Sequence, residues 1–158
     1  MTLALLTGFF QWLTTTPWAK AMISAEWVFP AVQSLHFIGF ALSIGTIAIV
    51  DLRLLGWGMR RHTSAELAAD LNPWTNAGVA VMLITGMLMF SSDAVTYHYN
   101  PSFQFKMSCL TAALIFHFTL HRHVVRHGTS PVAARLAGGF SLVLWTAVVA
   151  GGRFIAFI

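Results

Sequence analysis

An all-α bundle of four transmembrane helices, preceded by an amphipathic segment at the membrane interface, is the fold this sequence predicts. Three observations predict it. The chain is 57% hydrophobic and 9% charged, with a mean hydropathy of +0.72, whereas soluble domains carry about 25% charged residues. Four apolar runs each reach the roughly 20 residues needed to cross about 30 Å of hydrocarbon. Polar breaks separate them, reading RRHTSAELAADLN, SSDAVTYHYN and HRHVVRHGTSPVAAR.

The first element is the interfacial segment, residues 1–26. MTLALLTGFFQWLTTTPWAK lacks a basic start, and Thr7 and Gly8 break its apolar stretch early, so it does not read as a secretory signal. Phe9, Phe10, Trp12, Leu13 and Trp18 suit the headgroup level, with Lys20 reaching toward water. Residues 27–158 then form one transmembrane domain. The first span is expected over about Trp27–Leu55, the second over Pro73–Ser92, the third over Pro101–Leu120 and the fourth over Leu136–Ile158. Pro30, Pro73 and Pro101 stand near span starts, where a missing N–H costs little. SAELAADL is expected to form a short surface helix of its own, with Ser64 as its N-cap.

Charge sets the direction. The formal net charge is +4, but the charges are sparse and lie between apolar runs, so they read as a topology signal and not as a nucleic-acid surface. Arg53, Arg60, Arg61, Arg122, Arg126 and Arg135 share one side, and Lys20, Lys106 and Arg153 belong near the other. This bias puts the basic loops in the cytoplasm and both termini outside. The single cysteine, Cys109, allows no intrachain disulfide and reads as a buried thiol. Gly39 and Ser43, a small-xxx-small pair, mark a face for close helix packing.

Ionisable groups inside a membrane are costly and are functional suspects by default. His36, in SLHFIGFALSIG, lies about 6 residues past Pro30, or roughly 9 Å deep by helix rise. Gly39, Phe40, Ser43 and Ile47 follow on its face. A neutral imidazole beside small and apolar neighbours suits haem ligation. A hydrogen bond to a neighbouring helix, or a proton or metal path, would also account for it. Lys106 and Arg153 fall at a similar depth and suit the anionic propionates of a haem; taken singly, each also reads as a snorkelling cation.

HFTLHRHVVRH carries two i,i+4 histidine pairs, His117–His121 and His123–His127, rotated away from each other. Such a pair can hold zinc or copper given further ligands, and His117, inside the apolar run, is the better candidate for cofactor or metal. It lies about 16 residues past Pro101, roughly 24 Å down, so the depth difference from His36 is about 15 Å. A tilt of about 20° recovers only part of that. One site at His36 with a different sixth ligand, or two separate sites, is therefore expected. Met87, Met89, Met107 and His98 lie near the outer depth as possible second ligands, though methionines are usually gap-fillers. Asp51 and Arg53 do not share a helix face. Asp51 is expected to pair with another helix, for example with Arg122, as a structural ion pair. Trp74, Asn76 and Trp145 read as interface anchor, polar helix contact and core aromatic. No phosphate loop, H-E-x-x-H, C-x-x-C or Ser/His/Asp set is present, so hydrolysis is not supported.

SLHFIGFALSIGTIAIVDLRLLG, then PWTNAG with ITGMLMF, then NPSFQFK and the closing GGRFIAF together resemble an uncharacterised family of small bacterial four-helix inner-membrane proteins. The resemblance runs from about Trp27 onward and implies the fold but no activity. More distantly, the arrangement looks like the four-helix b-type cytochromes and the copper-resistance membrane proteins, an analogy of fold alone. Those cytochromes usually place histidines on two or more helices at matching depths, and this chain does not. The leading expectation is a b-type haem protein passing electrons to or from quinone or a partner, with His36 as axial ligand, Lys106 and Arg153 near the propionates, and His117 as a further cofactor candidate. The alternatives are a non-catalytic accessory subunit of a larger membrane complex, and a copper or zinc handling protein using His36, His117 and the methionines.

Overall fold

A computed structural model describes residues 2–58 and 61–157; Arg60 and Ile158 lie outside them. The chain forms α1 (Thr2–Thr14), α2 (Pro17–Ser24), α3 (Val28–Leu54), α4 (Ser64–Ser92), α5 (Ala94–Tyr99) and α6 (Pro101–Phe116). A π-helical turn over His117–His121 follows, then α7 (Arg122–His127), α8 (Pro131–Phe154) and a closing 3₁₀ turn over Ile155–Phe157. No strand occurs among the described residues. Four helical stretches are long and apolar enough to cross a membrane: α3, α4, the continuous run from Pro101 to His127, and α8.

The element boundaries follow local chemistry. SAELAADL is not a separate surface helix. It forms the first turns of α4, which runs on through Pro73 to Ser92. Its N-cap is Thr63, not Ser64. The Thr63 hydroxyl accepts from Glu66 N–H at 3.2 Å, and Thr63 N–H donates to the Glu66 carboxylate at 2.9 Å, a reciprocal pair that satisfies two otherwise orphaned donors. Pro73 is thus inside the helix, not at its start. Pro101 does open its helix, behind Asn100, whose side chain accepts from Phe103 N–H at 3.0 Å. The third span runs past Leu120 to His127 and stops at Gly128, whose φ of +69° suits glycine. The fourth begins at Pro131, with Ser130 as its cap, five residues before the expected Leu136.

Packing runs from α4 to α3, from α3 to α8 and from α8 to α6, and α7 returns to α4. The central core is Ile47, Met82, Leu110, Ala113, Trp145 and Val148. Trp145 is the core aromatic its sequence position implied. Cys109 is half-buried against that core, short of the full burial expected. Trp74 points outward. The closest backbone approach is between α3 and α4. A Cβ built on Gly78 would stand 2.6 Å from Ser43 N and 2.8 Å from Gly39 O. These are main-chain atoms that cannot rotate aside, so only glycine allows this crossing. Gly78→Val is expected to destabilise the bundle by about 3 kcal/mol, at the upper end of overpacking costs. Gly45→Ala, where nothing lies within 4 Å, should leave thermal unfolding in detergent near wild type.

The N-terminal helices lie at the end of the bundle that carries the start of α3 and the end of α8. Phe10 of α1 meets Phe90 edge-on at 5.8 Å, and its ring lies 4.6 Å from His98. α2 packs on α4 and α3. The opposite end carries Arg53, Arg61, Arg122, Arg126 and Arg135.

Candidate functional site

At the N-terminal-helix end, α3, α4, α6 and α8 surround a cavity of about 510 Å³. Its volume lies within the roughly 300–1,000 Å³ of small-molecule sites. His36, Lys106 and Arg153 all line it, so three positions far apart in the chain meet around one cavity. Aromatic side chains, among them Phe40, Phe90 and Phe103, supply much of the rest.

His36 is held in one orientation. Its Nδ1 lies 3.0 Å from Thr85 Oγ1. The Thr85 hydroxyl hydrogen is already committed to Val81 O at 2.6 Å, so Thr85 accepts and His36 Nδ1 carries the proton. The lone pair is then on Nε2, the nitrogen that a metal or an incoming donor would meet. Gly86 clears the space beside the ring, since a Cβ there would lie 3.2 Å from His36 Cε1. Thr85 did not stand out in the sequence; Gly86 is one of the span glycines that read as helix packing or as room for a flat ligand. The signal that could have found them is the TG pair in ITGMLMF, a hydroxyl and a bare backbone side by side in an apolar span.

Neither cation has a carboxylate beside it among the described residues. Among the described residues the only ion pair is Asp51–His121, at the other end of the bundle. Lys106 lies against the backbone of Gly151 and Gly152; a Cβ on Gly152 would stand 3.7 Å from Lys106 Nζ. The Arg153 guanidinium sits 4.7 Å over the Phe157 ring. Tyr97, from the loop helix α5, also lines the cavity. Burial pushes its phenol above the ordinary value and Asp93 adds to the effect, so it is a protonated donor at neutral pH.

Of the second-ligand candidates, Met89 lines the cavity and Met87, Met107 and His98 do not. Met87 is 73% exposed, on the outward face of α4. His98 packs its ring on Phe10 and Tyr99. His117 is not in this cavity. It lines a separate one at the arginine-rich end with His121 and Arg122, and the two cavities have no lining residue in common. The single site combining His36 and His117 is therefore not formed, as their difference in helix depth requires. Nor, among the described residues, do three His, Cys, Asp or Glu side chains gather where they could hold a metal ion.

Asp51 does pair across to the third span, but with His121 and not Arg122. His121 Nε2 lies 2.6 Å from Asp51 Oδ1. Arg122 instead donates to Asn76 at 2.8 Å, which makes Asn76 the polar helix contact expected of it. His117 and His121 are buried with rings 5.2 Å apart, whereas His123 and His127 stack at 4.5 Å on the exposed side.

Four membrane-length helices around a cavity with one oriented imidazole and two unpaired cations define a multi-pass helical protein with a built polar site in an apolar wall. The chain belongs to a family of unknown function, DUF6644, whose model matches residues 9–158. No curated protein and no solved structure matches it.

Proposed function

We propose that the cavity binds a b-type haem and that the protein carries electrons within the membrane, to or from a quinone or a partner subunit. The observation that carries this reading is His36. Its Nδ1 is engaged by Thr85, which leaves an Nε2 lone pair at a cavity of about 510 Å³ that is also lined by Lys106 and Arg153, neither of which pairs with a carboxylate among the described residues. Such donors fit a haem on each count. The neutral imidazole supplies an axial nitrogen whose outer hydrogen bond fixes its orientation. The two cations suit carboxylate groups at the edge of a flat ring. The aromatic wall and Gly86 give a dry slot beside the imidazole. Met89 is the side chain on the wall able to serve as a thioether ligand.

Bound there, haem would supply one-electron chemistry; the chain's own residues orient it, exclude water and balance its charge. The arginine bias favours a bacterial inner membrane with both termini on the periplasmic side, which would put the cavity in the outer half of the bilayer. The four-helix b-type cytochromes offer an analogy of architecture only.

The test is a reduced-minus-oxidised absorbance spectrum of the protein purified in mild detergent from haem-replete cells. A Soret band with sharp reduced α and β bands is expected. A folded, colourless preparation would overturn the haem reading and favour the role of accessory subunit.

A further inference from the structure

The arginine-rich end holds a second, unrelated cluster. Of the five acidic residues in the chain, Asp51 alone is buried, at 0% exposure; Glu26, Glu66, Asp70 and Asp93 are all exposed. Its Oδ1 meets His121 Nε2 at 2.6 Å. Its Oδ2 has no hydrogen-bond partner. Ser141 of α8 stands beside the carboxyl, its hydroxyl near enough to act on it but short of a well-formed hydrogen bond. His117 is 5% exposed and neither of its ring nitrogens is bonded. Arg122 Nε completes the set. Thus every buried side-chain polar atom without a partner, among the described residues, belongs to this one cluster.

Buried polar groups are normally satisfied, and exceptions call for an explanation. A buried ion pair serves stability only when its remaining lone pairs and protons are also bonded. Here the second carboxylate oxygen has only the Ser141 hydroxyl beside it and His117 has no partner, so the cluster is incompletely bonded. Two further observations point to exchange with solvent. His117–His121 is a π-helical turn, an irregularity found frequently at functional sites. A cavity of about 20 Å³ adjoins His121; apolar side chains, among them Ile47, Val50 and Leu71, line it together with His117, His121, Asn72, Thr75, Arg122 and Arg126. It has room for one water, which needs roughly 10–15 Å³, and polar partners to hold it. Arg126, one of those partners, is exposed at the arginine-rich end.

We propose that Asp51, His121 and His117 form an intramembrane proton-binding site that opens toward the arginine-rich end of the bundle. In the unloaded form His121 donates Nε2–H to the Asp51 carboxylate, and the pair carries one negative charge. A hydronium arriving through the cavity gives its proton to His121 Nδ1 and leaves as water. The pair is then an imidazolium and a carboxylate, neutral overall. Release reverses the step, and no electron moves. His117, with one donor and one acceptor nitrogen, offers a relay to the same water. The groups facing the pair limit it to one added proton. Arg122 and Arg126 come from its own span; the facing residues of α4, Asn72 and Thr75, and of α8, Ser141, carry no charge. On α3, Arg53 turns away to His62 O at 2.7 Å.

The experiment is ring-nitrogen NMR of the full-length protein, ¹⁵N-labelled at histidine, in lipid bilayers from about pH 5 to 9, the range in which imidazoles change charge. One imidazole, assigned by its loss in His121→Gln, should pass between singly and doubly protonated forms. In Asp51→Asn its doubly protonated population should fall at least tenfold at a given pH. Should that variant fail to fold, His117→Gln gives the second reading: His121 still titrates, with proton exchange slowed at least tenfold. A His121 fixed in one protonation state across the range would overturn the proposal, and so would unchanged exchange in His117→Gln. The signal does not depend on any group in the His36 cavity, so a colourless protein would leave it standing.

Discussion

If the cavity binds haem as proposed, His36→Ala is expected to give a folded protein whose haem absorbance is at least tenfold lower than wild type. The imidazole bonds Thr85 at 3.0 Å, with the Met82 backbone also beside it, and its ring is only half-buried. Its removal should therefore cost about 1 kcal/mol of stability, the worth of an ordinary hydrogen bond. The effect on a ligand held through Nε2 is of a different order, because no other imidazole lines the cavity. Thr85→Val separates orientation from ligation. It leaves Nε2 in place but frees the ring, so partial retention with broadened bands is expected. His117→Ala is the control and should keep full absorbance, since His117 lines a separate cavity. Full haem in His36→Ala would remove His36 as the ligand.

His121→Ala should be among the most destabilising single substitutions in the chain, costing about 3–5 kcal/mol. It removes the partner of Oδ1 from Asp51, which is at 0% exposure. Ser141 is the one other polar group beside the carboxyl. Asp51→Ala removes the charge itself and leaves a neutral imidazole, so a smaller loss is expected. The double variant should be less damaged than the sum of the two singles, because neither then leaves a charge uncompensated. Denaturant unfolding in mixed micelles measures all three. Additive losses would show that the 2.6 Å contact contributes no coupling energy.

Much of the architecture was legible because a bilayer imposes a length and an apolarity that composition displays directly. The four spans, their breaks and the N-terminal aromatic helix could all be read from runs of residues. Boundaries were less legible where a polar helix continues into the membrane. SAELAADL looked like a separate element because its residues are polar, yet nothing between Leu71 and Trp74 interrupts the backbone ladder strongly enough to end a helix. Pro73 is tolerated inside α4, where proximity to the span start had suggested a terminus. The cap moved by one residue, to Thr63, because the capping box with Glu66 requires a spacing of three.

The site divides in the same way. That His36, Lys106 and Arg153 share a depth, and that His36 and His117 do not, followed from helix rise counted from the prolines. Thr85 was illegible, because a threonine in an apolar span is ordinary until a histidine faces it; Gly86 was legible as a small residue for packing or ligand space, but not as the neighbour of His36. Asp51 was expected to find a partner on another helix, but choosing His121 over Arg122 required the rotation of the third span, which the π turn sets. The sequence by itself determined the number of spans, the end at which each charge lies and the depth of each imidazole, since these depend on distance along a helix. Only the tertiary structure decided which faces meet, that Thr85 holds the His36 proton, and that the unsatisfied groups converge on Asp51, because interhelical contacts depend on rotation and crossing, which hydropathy does not encode.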